Sequence, residues 1–151
     1  MKHGSRKRNS GGSGAAWLLQ DKDGGYATAS AGDVVAAVRN GLPVAAFERL
    51  RERYQVSSDK MAEIVRIPRS TMIRRKKGGI LDRFESERVV RFDRLLTIAT
   101  EVLEDGDVAR DWLTRPARAL GGETPLDYAD TEVGAREVEN LLGRLEHGVF
   151  T

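Results

Sequence analysis

The amino-acid sequence predicts an all-α protein, and three observations carry that prediction. Apolar residues recur at helical steps, most clearly along Phe92, Leu95, Leu96, Ala99, Val102 and Leu103. The strict polar–apolar alternation of a half-buried strand is absent. Ala, Leu, Glu and Arg, all strong helix formers, dominate the middle and end of the chain. No repeat of solenoid length is visible.

The elements follow in order. Residues 1–30 read as a basic, glycine-rich tail. Lys2, Arg6, Lys7 and Arg8 cluster charge, Ser10–Gly14 has flexible-linker composition, and Ala15–Leu19 is a short apolar patch. Order is expected from about Asp33. Val34, Val35 and Val38 mark a short helix ended by Asn40-Gly41. Pro43 suits the first turn of a second helix, carried by Val44, Phe47, Leu50 and Tyr54. Ser57 or Ser58 caps a third, whose apolar face is Met61, Ala62, Ile64 and Val65. Pro68 ends it, because proline disfavours helical geometry in the residue before it. Ser70 is expected to cap the fourth helix and Gly78-Gly79 to stop it. Asp82 opens the longest helix, with Glu85 as its capping-box partner, and the stripe runs to Asp105-Gly106. A short helix with Val108 and Trp112 begins near Asp107 and is interrupted at Pro116. Thr124-Pro125 starts another short piece. Asp130 or Thr131 caps a final helix built on Val138, Leu141, Leu142 and Leu145, ending at His147-Gly148. The expected units are residues 31–105, a helix-turn-helix domain with a long connecting helix, and residues 106–151, a small helical domain.

Charge is unevenly placed. Between Lys60 and Lys77 seven cations face a single acid, Glu63, a local balance of +6; from Glu101 to Thr151 five bases face twelve acids, a balance of −7. A basic middle followed by an acidic end suggests two surfaces for two partners. No apolar run is long enough to span a membrane, and none of signal-peptide length follows the basic N-terminus, so a cytoplasmic protein is expected. The absence of cysteine excludes disulfides and thiolate metal ligands.

Ser57–Lys77 reads as two short helices joined by a tight turn. In a helix-turn-helix the first helix braces the second, which enters the major groove of double-stranded DNA. Met61, Ile64, Val65 and Ile67 form the expected small core, with Met72 or Ile73 packing back. Arg69, Ser70, Thr71, Arg74 and Arg75 are the expected groove-facing set, arginine being able to grip guanine bidentately. Lys76 and Lys77 are expected on phosphates. One short recognition helix buries little surface, so a homodimer is expected.

The acidic end carries a resemblance. Asp111-Trp112-Leu113, Pro116, Ala119-Leu120-Gly121-Gly122, Thr124-Pro125-Leu126-Asp127, Thr131-Glu132, Gly134, Val138 and the closing LLGRLEHGVF resemble the toxin-binding domain of the Xre/MbcA/ParS antitoxins. The helices before it resemble the Xre-type helix-turn-helix of the same proteins. The likeness runs from about Asp33 onward and is most specific from Gly121 to Phe150; the N-terminal tail is not part of the pattern. It implies an antitoxin of a type II toxin–antitoxin system whose partner is a co-encoded RES-domain toxin. Such toxins consume NAD, by degrading it or by transferring ADP-ribose to a protein. The antitoxin covers the toxin's active site and represses its own operon. The residues expected to contact the toxin are Arg136, Glu139, Asn140, Gly143, Arg144, Glu146, His147, Val149 and Phe150, while Trp112, Pro116, Leu120, Leu126 and Tyr128 are expected in the domain's own core.

Catalysis is not expected. The two histidines, His3 and His147, lie at opposite ends of the chain, and the glycine pairs lack the strand-then-helix setting of a phosphate loop. No cofactor is expected. The alternatives are a stand-alone repressor whose C-terminal domain only dimerises, and an adaptor whose helix pair never meets DNA.

Overall fold

The computed structural model describes residues 30–148 and contains eight helices in the order α1 (Ala31–Asn40), α2 (Val44–Tyr54), α3 (Ser58–Ile64), α4 (Arg69–Gly78), α5 (Arg83–Leu103), α6 (Gly106–Thr114), α7 (Pro125–Tyr128) and α8 (Glu132–Glu146). A single 3₁₀ turn, Arg118–Leu120, lies between α6 and α7. Among the described residues no strand forms; extended backbone meets only at the bridge between Pro43 and Ile80. The basic cluster, the linker and the Ala15–Leu19 patch lie outside the described residues.

Local chemistry sets the helix ends. Ser30 and Asp33 form a capping box that starts α1 slightly ahead of its expected beginning. Ser57, rather than Ser58, caps α3 by accepting the Lys60 N–H at 3.1 Å. Asp82 and Glu85 form the capping box that opens α5. Two expectations shift. Ser70 does not cap α4; Pro68 occupies the N-cap in extended conformation, and Ser70 sits inside the helix. A proline has no N–H to leave unsatisfied, so the residue expected to end α3 starts α4 instead. α3 itself stops earlier, at Ile64, and the turn passes through Arg66 at φ 58°. Thr131, not Asp130, caps α8, its hydroxyl accepting the Gly134 N–H at 3.0 Å.

One continuous apolar core joins both halves of the chain. α5 is its spine: Phe92, Leu95, Leu96 and Ala99 are all buried, and α5 packs against α1, α2, α6 and α8. Phe47 and Leu50 of α2, with Met61 and Val65 around α3, fill the N-terminal side. Leu113 of α6 and Ala135, Val138 and Leu142 of α8 fill the C-terminal side. Leu120 and Leu126 are buried and Trp112 and Tyr128 half-buried, but Pro116 is exposed, because it lies in the extended link after α6 rather than on an inward face. Polar ties cross the core. The Tyr54 hydroxyl donates to the Phe92 carbonyl at 2.6 Å, and Arg53 pairs with the fully buried Asp93.

Gly134 is required by packing. A Cβ there would stand 1.7 Å from the Tyr128 carbonyl oxygen, so α8 crosses the end of α7 only where no side chain intervenes. We expect Gly134→Ala to lose about 2–3 kcal/mol in urea denaturation despite alanine's better helix propensity, as overpacking costs of that order; an unchanged or raised stability would contradict this contact.

Burial, reinforced by Asp93, pushes the Tyr54 phenol above its ordinary range. The unfolded chain releases this proton near about pH 10 while the folded chain retains it. Stability therefore holds below that pH and falls above it. Urea midpoints between about pH 9 and 11 should show the fall. Tyr54→Phe should flatten it while losing about 1 kcal/mol at neutral pH from the missing hydrogen bond.

Candidate functional site

The face that α4 presents follows from its rotation of roughly 100° per residue. Met72 supplies the inward contact and is 4% exposed, while Ile73 is 50% exposed and does not pack back. The outward side then carries Arg69, Ser70, Arg74 and Lys77, all exposed, with Thr71 half-buried at its edge. Among the described residues Arg69, Arg74 and Lys77 make no ion pair.

Arg75 does not share that face. Its Nε donates to Glu85 Oε1 at 2.7 Å and a terminal nitrogen to Asp82 Oδ2 at 3.3 Å. Glu85 is 3% exposed, and a buried carboxylate needs a cation beside it. The hydrogen bond to Glu85 holds the Arg75 guanidinium above its ordinary range. Arg75, expected among the groove-facing residues, instead joins α4 to the capping box of α5. Lys76 lies on the opposite flank, with Nζ 2.8 Å from Ser58 Oγ and 3.8 Å from Glu48 Oε1. Between them, Arg75 and Lys76 brace α4 on both sides.

The turn before α4 is held from outside. The Ile67 N–H donates to the Ala62 carbonyl at 2.9 Å, and Arg88 Nε of α5 donates to the Val65 carbonyl at 2.7 Å. Arg66, in left-handed conformation, extends its guanidinium to 3.8 Å from both Asp127 and Asp130.

The second surface lies on α8. Gly134, Ala135, Val138 and Leu142 face inward. Arg136, Asn140 and His147 are exposed at helical spacing along the outer side, with Gly143 between them, and Glu146 is exposed beside them. A Cβ at Gly143 would meet nothing within 4 Å, so the middle of this stripe is open. Arg144 is half-buried. Glu139 is engaged at home, in a salt bridge with Arg94 of α5. Val149 and Phe150 lie outside the described residues.

Glu132 anchors the start of α8, 3.2 Å from Arg91 and 2.9 Å from Arg94. Burial works to raise its carboxyl pKa, but the Arg94 and Arg91 guanidiniums outweigh it and hold the group below the ordinary range. The sequence offered no sign of this clamp, since Arg94 and Glu132 are 38 positions apart. No cluster of metal-ligating side chains occurs among the described residues, and no described helix is long and apolar enough to cross a membrane.

Comparison with known proteins covers both surfaces. Residues 33–92 match the antitoxin Xre-like helix-turn-helix domain, and residues 99–148 match the antitoxin Xre/MbcA/ParS C-terminal toxin-binding domain. The antitoxin Xre of Photorhabdus laumondii is 35% identical over 129 residues, covering 84% of this chain and 87% of that protein. The antitoxin Xre of Yersinia enterocolitica is 35% identical over 126 residues, 82% of this chain and 85% of that protein. A Prs ADP-ribosylating antitoxin of Sphingobium sp. is 26% identical over 132 residues, 81% and 83% of the two chains.

Proposed function

This chain belongs to the Xre antitoxin family, and from that premise we propose that it neutralises a co-encoded RES-domain toxin while repressing its own operon. The observation that carries this reading is the pairing, on one chain, of a braced cationic helix within the helix-turn-helix match and an open helix face within the toxin-binding match.

On the toxin side, the outer stripe of α8 is the contact. Arg136, Asn140, Gly143 and His147 form its centre. Arg144 and Glu146 flank it, and Glu139 steadies its edge through Arg94; Val149 and Phe150 are kept as toxin contacts on the family resemblance alone. A RES toxin holds an anionic dinucleotide with cationic groups, and Glu146, exposed at the flank of this mixed polar stripe, offers a carboxylate to the same pocket. Covering that pocket stops NAD from entering, whether the toxin degrades NAD or transfers ADP-ribose. The antitoxin acts by occupying a surface, not by chemistry of its own, and the natural setting is the cytoplasm.

On the DNA side, Arg69, Ser70, Thr71 and Arg74 approach the major groove of operator duplex, and Lys76 and Lys77 lie nearer the phosphates. Arg75 contributes by fixing the height of α4 over α5. A homodimer presents two such helices to two half-sites.

The two activities separate by experiment. Gly143→Arg places a long cation where no home contact exists, so the fold should keep its melting temperature while co-purification with the toxin and rescue of growth are lost by more than about tenfold, the scale of a disrupted interface centre. Full rescue by this variant would remove α8 as the contact, and absence of rescue by the unaltered chain would favour a stand-alone repressor. For DNA, a dimer with about four phosphate contacts per subunit should show log K falling against log salt with a slope near about −7. Lys77→Ala, which removes one such contact from each subunit, should bring that slope to about −5.4. A flat salt response would exclude groove binding.

A further inference from the structure

We propose that Ile73 is a base-reading residue and that it selects duplexes carrying thymine, by contact with the thymine C5-methyl group in the major groove. This rests on the DNA-binding reading above and adds to it the kind of base read.

Ile73 is 50% exposed, although the preceding residue, Met72, is 4% exposed and provides the contact by which α4 closes on its core. It borders the small hollow between α3 and α4 beside Ser58 and Ala62, and half of its surface still faces out. A lone exposed isoleucine is ordinary in itself; its position is what gives it meaning. It lies one turn beyond Arg69 on the same ridge of α4, next to the ridge of Ser70, Arg74 and Lys77. It is the only large apolar side chain on the outward side of this helix. The other exposed aliphatic and aromatic residues nearby, Ile80 and Phe84, fall beyond Gly79, past the helix's end.

The chemistry of the major groove narrows what such a side chain meets. Base edges there offer hydrogen-bond acceptors, amino donors and one apolar feature, the methyl group of thymine. Removing water from an isoleucine is favourable against that methyl and unfavourable against an amino or carbonyl edge, which loses its hydration without gaining a partner. Residues in the first half of a recognition helix come nearest the bases, and Ile73 is the fifth residue of α4. Its side chain is also stiff, because a β-branched residue in a helix keeps essentially one rotamer, so little entropy is lost on docking. The helix beneath it is held at both flanks, by Arg75 on Glu85 and Lys76 on Ser58, so the methyl contact has a defined height. Arg69 and Arg74, on either side, carry the forks that suit guanine, and the expected half-site is a thymine adjacent to guanine.

The test uses the full chain. Duplexes are enriched from a random library on the unaltered protein, and the best is resynthesised with each thymine replaced in turn by uracil, which removes only the methyl. We expect one thymine per half-site whose replacement weakens binding about fourfold per methyl. Ile73→Ala, a surface change that leaves the melting temperature in place, should bind thymine and uracil duplexes equally, whereas Arg74→Ala should weaken both and keep the difference. Enrichment without any methyl-sensitive position, or an Ile73→Ala protein that still discriminates, overturns this proposal and leaves DNA binding standing. Failure to enrich any duplex overturns both readings together.

Discussion

One buried face of α5 is the constraint on which the rest of this molecule depends. Phe92, Leu95, Leu96 and Ala99 are at most 1% exposed, and each fully buried large side chain is worth about 1.5–3 kcal/mol of transfer free energy. Helices from both halves of the chain cover that face, so neither half owns it. A helix of 21 residues, about 30 Å long, is thereby fixed as a rigid ruler rather than a tether.

The polar edge of the same helix decides where the two working surfaces sit. Glu85 takes Arg75 from α4, Arg88 takes the carbonyl of Val65 in the turn, and Arg91 and Arg94 take Glu132 and Glu139 from α8. These contacts join residues 10 to 45 positions apart; those of Arg75 with Glu85, Arg88 with Val65 and Arg94 with Glu139 are partly shielded from water, where an ion pair or charged hydrogen bond counts for more than on an open surface, while the Glu132 pairs lie exposed. The cationic face of α4 and the open face of α8 are thus set by side chains that do not belong to either face. Arg66 adds a direct link, its guanidinium reaching Asp127 and Asp130 from the turn that precedes α4.

Two glycines on α8 illustrate how one residue type serves opposite ends. Gly134 is small because the chain must cross Tyr128 closely; Gly143 stands in open space, where the fold does not need it. The first therefore belongs to the architecture, and the second leaves a helix face on which another surface can lie flat.

Local chemistry was legible in the amino-acid sequence because it acts over a few residues. The all-α class, the Asp82–Glu85 box, the stop at Gly78-Gly79 and the stripe from Phe92 to Leu103 all follow from spacing and caps, while the family likeness from Asp33 onward rests on motifs that resemble those of known antitoxins. Three matters were left to the tertiary structure. Spacing alone leaves Met72 and Ile73 equivalent candidates for the inward position, and only the seating of α4 on α3 buried the first and exposed the second. A run of four cations gives no sign that Arg75 would be drawn aside, because its partner Glu85 is recruited by a cap in the next helix. Nor does a sequence pattern pair Arg94 with Glu132 across 38 positions. Caps and periodicity are short-range and survive in one dimension; the choice of which charge is buried and which is left to meet a partner is made only when distant helices share a core.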